Sequence, residues 1–161
     1  MKQLPIVRLM VILSLLNAKE KKSGYQMFKK NPFSHQGLYK ELRTLKKSGA
    51  VTGEAISQTG KPDKILYEIC NRDILMEHVD EALHQHVDIN SVRTIDIDVV
   101  LSFRPYISDV KICNWLKKFP VEANKHKQQK WETDITLNKD SRIAMLNLIR
   151  DKIELIEKGK A

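Results

Sequence analysis

Cysteine is scarce in this chain of 161 residues: Cys70 and Cys113 stand far apart, and neither has a Cys-x-x-Cys partner. That argues against a disulfide framework and a cysteine-built zinc site, leaving two buried or idle thiols. Long apolar runs are missing as well. The richest, "LPIVRLMVILSLL", is broken by Arg8 and falls short of the roughly 18 uncharged residues that a membrane span requires. It carries no Ala-x-Ala-like cleavage site and runs directly into Lys19, Lys21 and Lys22, so it does not resemble a signal peptide. The chain therefore reads as cytosolic, with no membrane partner. Glycine-rich phosphate loops, Gly-x-Ser-x-Gly, His-Glu-x-x-His and paired carboxylates beside a histidine are all lacking, which leaves no catalytic residues and argues against an enzyme. The Asp96/Asp98 pair reads as a solvated edge. His84 and His86, with His78 upstream, are spaced so that a helix would point them to different faces, so no metal site is expected.

What the chain does have is positive charge, unevenly distributed. The net charge is +8, yet residues 1–64 hold 13 Lys and Arg against 4 Asp and Glu, and the remainder is nearly balanced. An excess confined to one region is the electrostatic footprint of a polyanion partner.

The apolar pattern places a first helix over residues 4–17, ending near Asn17. "GYQMFKKN" gives a short second helix with Tyr25, Phe28 and Met27 available to the core, ending near Pro32. "SHQGLYKELRTLKKSGAV" gives a third. Ser34 is its N-cap, Gly49 its C-terminal stop, and Leu38, Leu42 and Leu45 share one face. At about 100° per residue, Gln36, Lys40, Arg43 and Lys47 fall on the opposite face. Two β-rich runs, "AVTGEAIS" and "ILYEIC", flank the polar "QTGKPDK", which reads as a seven-residue loop between the strands of a hairpin. Helical patterns then return. Leu75, Val79 and Leu83 form one apolar stripe; Ile143, Leu146, Ile149, Ile153 and Ile156 form another, for which a second copy of the chain is the simplest cover and packing on residues 74–87 of the same chain is the alternative.

The fold expected from this order is mainly α. Residues 1–72 form an N-terminal winged helix-turn-helix, with three helices and a two-stranded β-hairpin wing. Residues 73–161 form a helical dimerisation region. In such an arrangement the third helix enters a DNA major groove and the wing reaches the neighbouring backbone.

The same residues resemble the PadR family of winged-helix transcription regulators, closest to its AphA-like virulence-activator branch. The resemblance rests on Gly24-Tyr25, "SHQGLYKELRTLKKSGAV", "GKPDKILYEI" and "VVLSF" ahead of a long final helix. Where the family commonly starts its next helix with a Leu-Thr-x-x-Gly-like sequence, this chain has Asn71-Arg72-Asp73. The resemblance implies a homodimer on a roughly palindromic operator, joined through the C-terminal helices. It also admits a small-molecule effector where Trp115, Phe119 and residues 74–87 would converge, while no cofactor is implied.

For base readout the chemistry requires amide and guanidinium or ammonium groups, which Gln36 and Arg43 supply with His35 and Lys40 beside them. Lys46, Lys47, Lys61, Lys64, Lys21 and Lys22 are candidate phosphate contacts, and the resemblance favours the Tyr39 hydroxyl for another. Two other uses of the fold stay open: an adaptor that binds a protein partner, and a centromere-type DNA-binding protein of a plasmid or phage.

Overall fold

The computed structural model describes residues 3–30, 34–85, 93–118, 147 and 150–159. Ile6–Leu16 forms α1, preceded by Pro5 and closed by Asn17. Nearly every turn of α1 is apolar, and Leu9, Val11, Ile12, Leu13 and Leu15 are all buried. A helix apolar on more than one face must be covered on more than one side. Here α3 (His35–Lys47), β3 (Lys61–Ile69) and α4 (Arg72–His84) all pack against it. The single charge within α1, Arg8, pairs with Glu41 of α3 at 2.7 Å.

Lys22–Ser23 forms a short strand, β1, that leads into α2 (Gly24–Lys30). Ser23 and Gln26 cap this helix reciprocally: the Gln26 N–H donates to Ser23 Oγ at 3.2 Å, and the Ser23 N–H donates to Gln26 Oε1 at 2.9 Å. Met27 is buried, but Tyr25 is 61% exposed and does not join the core as its sequence position suggested. Residues two apart on a helix point about 200° away from each other, so only one of this pair could face inward.

Ser34 caps α3 by accepting a hydrogen bond from the Gly37 N–H at 3.1 Å. Beyond its last turn, Gly49 sits at φ +85°, with the Gly49 N–H donating to Lys46 O and the Ala50 N–H to Leu45 O, both at 3.1 Å. This paired closure needs a left-handed residue, which glycine adopts without steric penalty. Val51–Gln58 (β2) then pairs with β3 antiparallel, from Val51 opposite Ile69 to Gln58 opposite Lys61.

The hairpin differs from expectation in two ways. Pairing runs through most of the polar segment that suggested a seven-residue loop, leaving only Thr59 and Gly60 (φ +69°) between the strands. Ladder hydrogen bonds are made by the backbone, so polar composition does not prevent them; the register slips between Ile56 and Gln58, opposite the stretch that holds Pro62. The sheet also has three strands, in the order β1-β3-β2, because Lys22 and Ser23 pair with Tyr67 and Leu66 on the free edge of β3. Together these elements make a winged helix.

The chain divides into two compact units, Lys2–His86 and Val87–Ala161. The first includes α4, which the sequence pattern assigns to the region from residue 73 onward. Asn71 caps α4 by accepting from the Ile74 N–H, and Leu75, Val79, Ala82 and Leu83 are buried within the single chain. In the second unit lie α5 (Thr94–Leu101), α6 (Asp109–Leu116) and α7 (150–157). Ile97, Val100, Phe103, Ile112, Trp115, Leu116 and Ile156 are buried there. Asp96 is only 3% exposed rather than part of a solvated edge: it accepts from the Arg93 N–H at 2.7 Å, closing the start of α5. Asp98 is exposed. Cys113 is buried and Cys70 exposed.

Candidate nucleic-acid interface

The buried leucines Leu38, Leu42 and Leu45 anchor α3 to the core and leave its other face outward. His35, Gln36, Lys40, Arg43, Lys46 and Lys47 are all exposed on this helix, and Tyr39 is half-buried at the edge of the leucine stripe. Gln36 lies in the first turn and Arg43 two turns further, so amide and guanidinium project from one side of a helix held at both ends. The Arg8–Glu41 ion pair ties the middle of α3 to α1. His78 of α4 reaches the Ser48 hydroxyl just past the last turn, with Nε2 2.9 Å from Oγ.

The wing stands beside this face. Lys61 is exposed next to the turn, and Lys64 is half-buried along β3. Lys22 is half-buried in β1. Lys21 differs from the other cations, because its ammonium lies 2.6 Å from Glu54 and 3.5 Å from Glu68. The hydrogen bond to Glu54, reinforced by the two negative charges, raises the Lys21 pKa; the reciprocal bond lowers that of Glu54. Its charge is thus already matched within the sheet.

A cleft of about 370 Å³ opens between α3, the start of α2 and the wing, lined in part by Tyr25, Tyr39, Pro62, Lys64 and Tyr67. Two glycines make room for its aromatic walls. A Cβ on Gly24 would lie 2.7–2.9 Å from the Tyr39 ring and hydroxyl, and one on Gly53 would lie 3.3 Å from the Tyr67 ring. On its other side Tyr39 belongs to a row of rings: Phe28 stacks on His35 with centroids 3.7 Å apart, and His35 lies parallel to Tyr39 at 6.3 Å. Burial pushes the Tyr67 phenol up, Tyr39 adds to the shift and Arg43 opposes it, so Tyr67 remains a neutral hydroxyl near neutrality.

This cleft is not legible in the sequence. The signal was the adjacent pair Gly24-Tyr25, with the i, i+2 conflict between Tyr25 and Met27 for a single inward face. Among the described residues, no group of three or more His, Cys, Asp or Glu side chains is placed to hold a metal ion, and no helix is long and apolar enough to cross a membrane. Of the dimerisation candidates, Leu75, Val79, Leu83 and Ile156 are buried and Ile153 is half-buried within one chain. Ile143, Leu146, Ile149 and the proposed effector contact Phe119 lie outside the described residues.

No protein-family model matches the chain. No curated protein matches it either. Among solved structures, it is similar to smu.1604c from Streptococcus mutans UA159, at 20% identity over 94% of this chain and 96% of that one, with a TM-score of 0.38. It is similar to Bacillus subtilis PadR in complex with operator DNA, at 18% identity over 93% of each chain and a TM-score of 0.38. It is also similar to the PadR-like transcriptional regulator BC1756 from Bacillus cereus, at 23% identity over 95% of this chain and 92% of that one, with a TM-score of 0.35.

Proposed function

We propose that the protein is a sequence-specific double-stranded-DNA-binding transcription regulator, acting in the cytoplasm as a homodimer on a roughly palindromic operator. The observation that carries this reading is the face of α3: Gln36, Lys40, Arg43 and Lys47 stand exposed opposite three buried leucines, with a lysine-bearing wing alongside. A helix 13 residues long, anchored on one side and cationic on the other, meets the shape and charge demands of a major groove. The C-terminal apolar positions supply the dimer contact in this proposal. PadR-like membership and its AphA-like branch belong to the same reading, supported by the residue patterns at Gly24-Tyr25, α3 and the wing.

Selection of bound duplexes from a random pool tests it, followed by titration of the recovered site. A dyad-like sequence is expected to emerge. Gln36→Ala and Arg43→Ala should each relax base preference, at a cost of about 1–3 kcal/mol, whereas Lys61→Ala should weaken all duplexes alike. Failure to enrich any dyad-like sequence overturns the proposal.

A further inference from the structure

The cleft between α3, the start of α2 and the wing carries an inference that does not depend on DNA binding. We propose that it is a small-molecule site for an uncharged, flat nitrogen heterocycle of the nucleobase type, stacked on Tyr25 and hydrogen-bonded to the Tyr67 hydroxyl.

Space is the first argument. The cleft's volume of about 370 Å³ lies within the range of small-molecule sites, roughly 300–1,000 Å³. Neither Gly24 nor Gly53 has a positive φ, so what each glycine supplies is room. A Cβ on Gly24 would strike the Tyr39 ring, and one on Gly53 would stand 3.0 Å from Ile65 and 3.3 Å from the Tyr67 ring. Ile65 and Tyr67, two apart on β3, share a face of the sheet, and both line the cleft.

The second argument is an unmet hydrogen bond. Tyr67 is only 7% exposed, yet its hydroxyl has no hydrogen-bond partner among the described residues and is not shut away from solvent, so it opens on the cleft. A tyrosine this deeply buried ordinarily has its hydroxyl paired. Because burial holds the phenol protonated near neutrality, it stands ready to donate to a ligand or to accept from one.

The chemistry of the lining selects the ligand class. Tyr25 and Ile65 offer exposed apolar surface, and an aromatic ring left open to solvent suits a flat partner. Gln58 and Asp63 bring an amide and a carboxylate, the groups that pair with the edges of amino-substituted nitrogen heterocycles. Asp63 and Lys64 are neighbours on β3 and would ordinarily face opposite ways, but both line the cleft, where the register slips. Their charges offset each other. Arg43 lies close enough to act on the Tyr67 phenol, which disfavours a cation there, and Asp63 disfavours an anion. An uncharged ligand meets neither opposition. The site belongs to the first compact unit, whereas Trp115 belongs to the second.

The experiment uses the full chain without DNA, so its outcome is independent of the duplex selection. Adenine, guanine, cytosine and pterin are titrated separately and followed by ligand-observed and backbone-amide NMR. Benzoate serves as the flat anion and benzyltrimethylammonium as the flat cation. At least one heterocycle should bind saturably and shift amides of residues 23–26, 58 and 62–67, more tightly than either ion. Tyr67→Phe, which keeps the ring, should weaken that binding about fivefold. Tyr25→Ala removes an exposed ring, so the fold does not depend on it, and should weaken binding about tenfold. Circular dichroism should be unchanged in both variants. The proposal is overturned if none of the four heterocycles binds, if either ion binds more tightly, or if the shifts fall among residues 94–118 instead. Wild-type affinity in Tyr25→Ala, or in a folded Tyr67→Phe, overturns it as well.

Discussion

His78 shows how much one side chain can couple. Nε2 meets the hydroxyl of Ser48 at the end of α3, while Nδ1 is buried and has no hydrogen-bond partner. A protonated imidazole carries an N–H on both nitrogens, so charging His78 would bury a donor with nothing to receive it. Burial lowers its pKa from 6.5 and the positive charge of Arg8 lowers it further, against smaller opposing effects from Glu81, Glu41 and Glu77. A depressed folded-state value means that the native state favours the neutral ring. The stabilisation is therefore full above the unfolded pKa and is lost as the pH falls through the folded one. We expect the thermal midpoint of wild type to drop between about pH 7.5 and pH 5 by more than that of His78→Gln, since acidic side chains titrating lower affect both proteins equally. Parallel curves for the two proteins would show that the imidazole is not responsible.

Among the elements, α3 was the most legible in sequence, because three separate signals agree on its limits. Ser34 and Gly49 fix its ends, and the leucines at 38, 42 and 45 fix its inward face. The hairpin was legible as a pair of strands but not in its extent. "QTGKPDK" has loop composition, and nothing in side-chain chemistry reports that Gln58 and Lys61 pair through their backbones. The strand at Lys22–Ser23 was invisible for a related reason: two residues are too few to show a period, and they pair because the free edge of β3 is there to receive them. In the candidate site, the cations of α3 were readable from the helical wheel. The cleft was not, since it depends on a ring 15 positions from Gly24 closing over the missing Cβ. The caps of α3 also bear on the proposed DNA contact, because the first turn carries Gln36. Ser34→Ala removes the acceptor for the Gly37 N–H and should lower stability by about 1 kcal/mol in urea denaturation. Fraying of that turn should also weaken operator binding more than an exposed substitution of similar size elsewhere, such as Thr52→Ala on the wing.

At the scale of the whole molecule, charge and packing divide the chain at different places. The positive excess ends near residue 64, which encourages a boundary soon after the wing, and the apolar stripe of Leu75, Val79 and Leu83 then reads as belonging to a dimerisation region. The packing is otherwise: α4 lies against α1, its Ile74 side chain is 3.7 Å from where a Gly49 Cβ would be, and His78 holds the end of α3. The Cys70 and Asn71 N–H groups both donate to Ala50 O, fastening the start of α4 to the exit of the same helix. Burying each of Leu75, Val79 and Leu83 is worth about 1.5–3 kcal/mol, so their combined loss is comparable to the whole stability of a small domain, roughly 5–15 kcal/mol. A fragment of residues 1–86 should therefore unfold cooperatively with a helical far-ultraviolet signature, and a fragment of residues 1–72 should not. Equal cooperativity in the two fragments would return α4 to the C-terminal half. On the proposed reading, a folded 1–86 fragment should also retain the base preference assigned there to Gln36 and Arg43, at lower affinity, because a single half-site contact would lack the effective concentration that a linked second copy would provide.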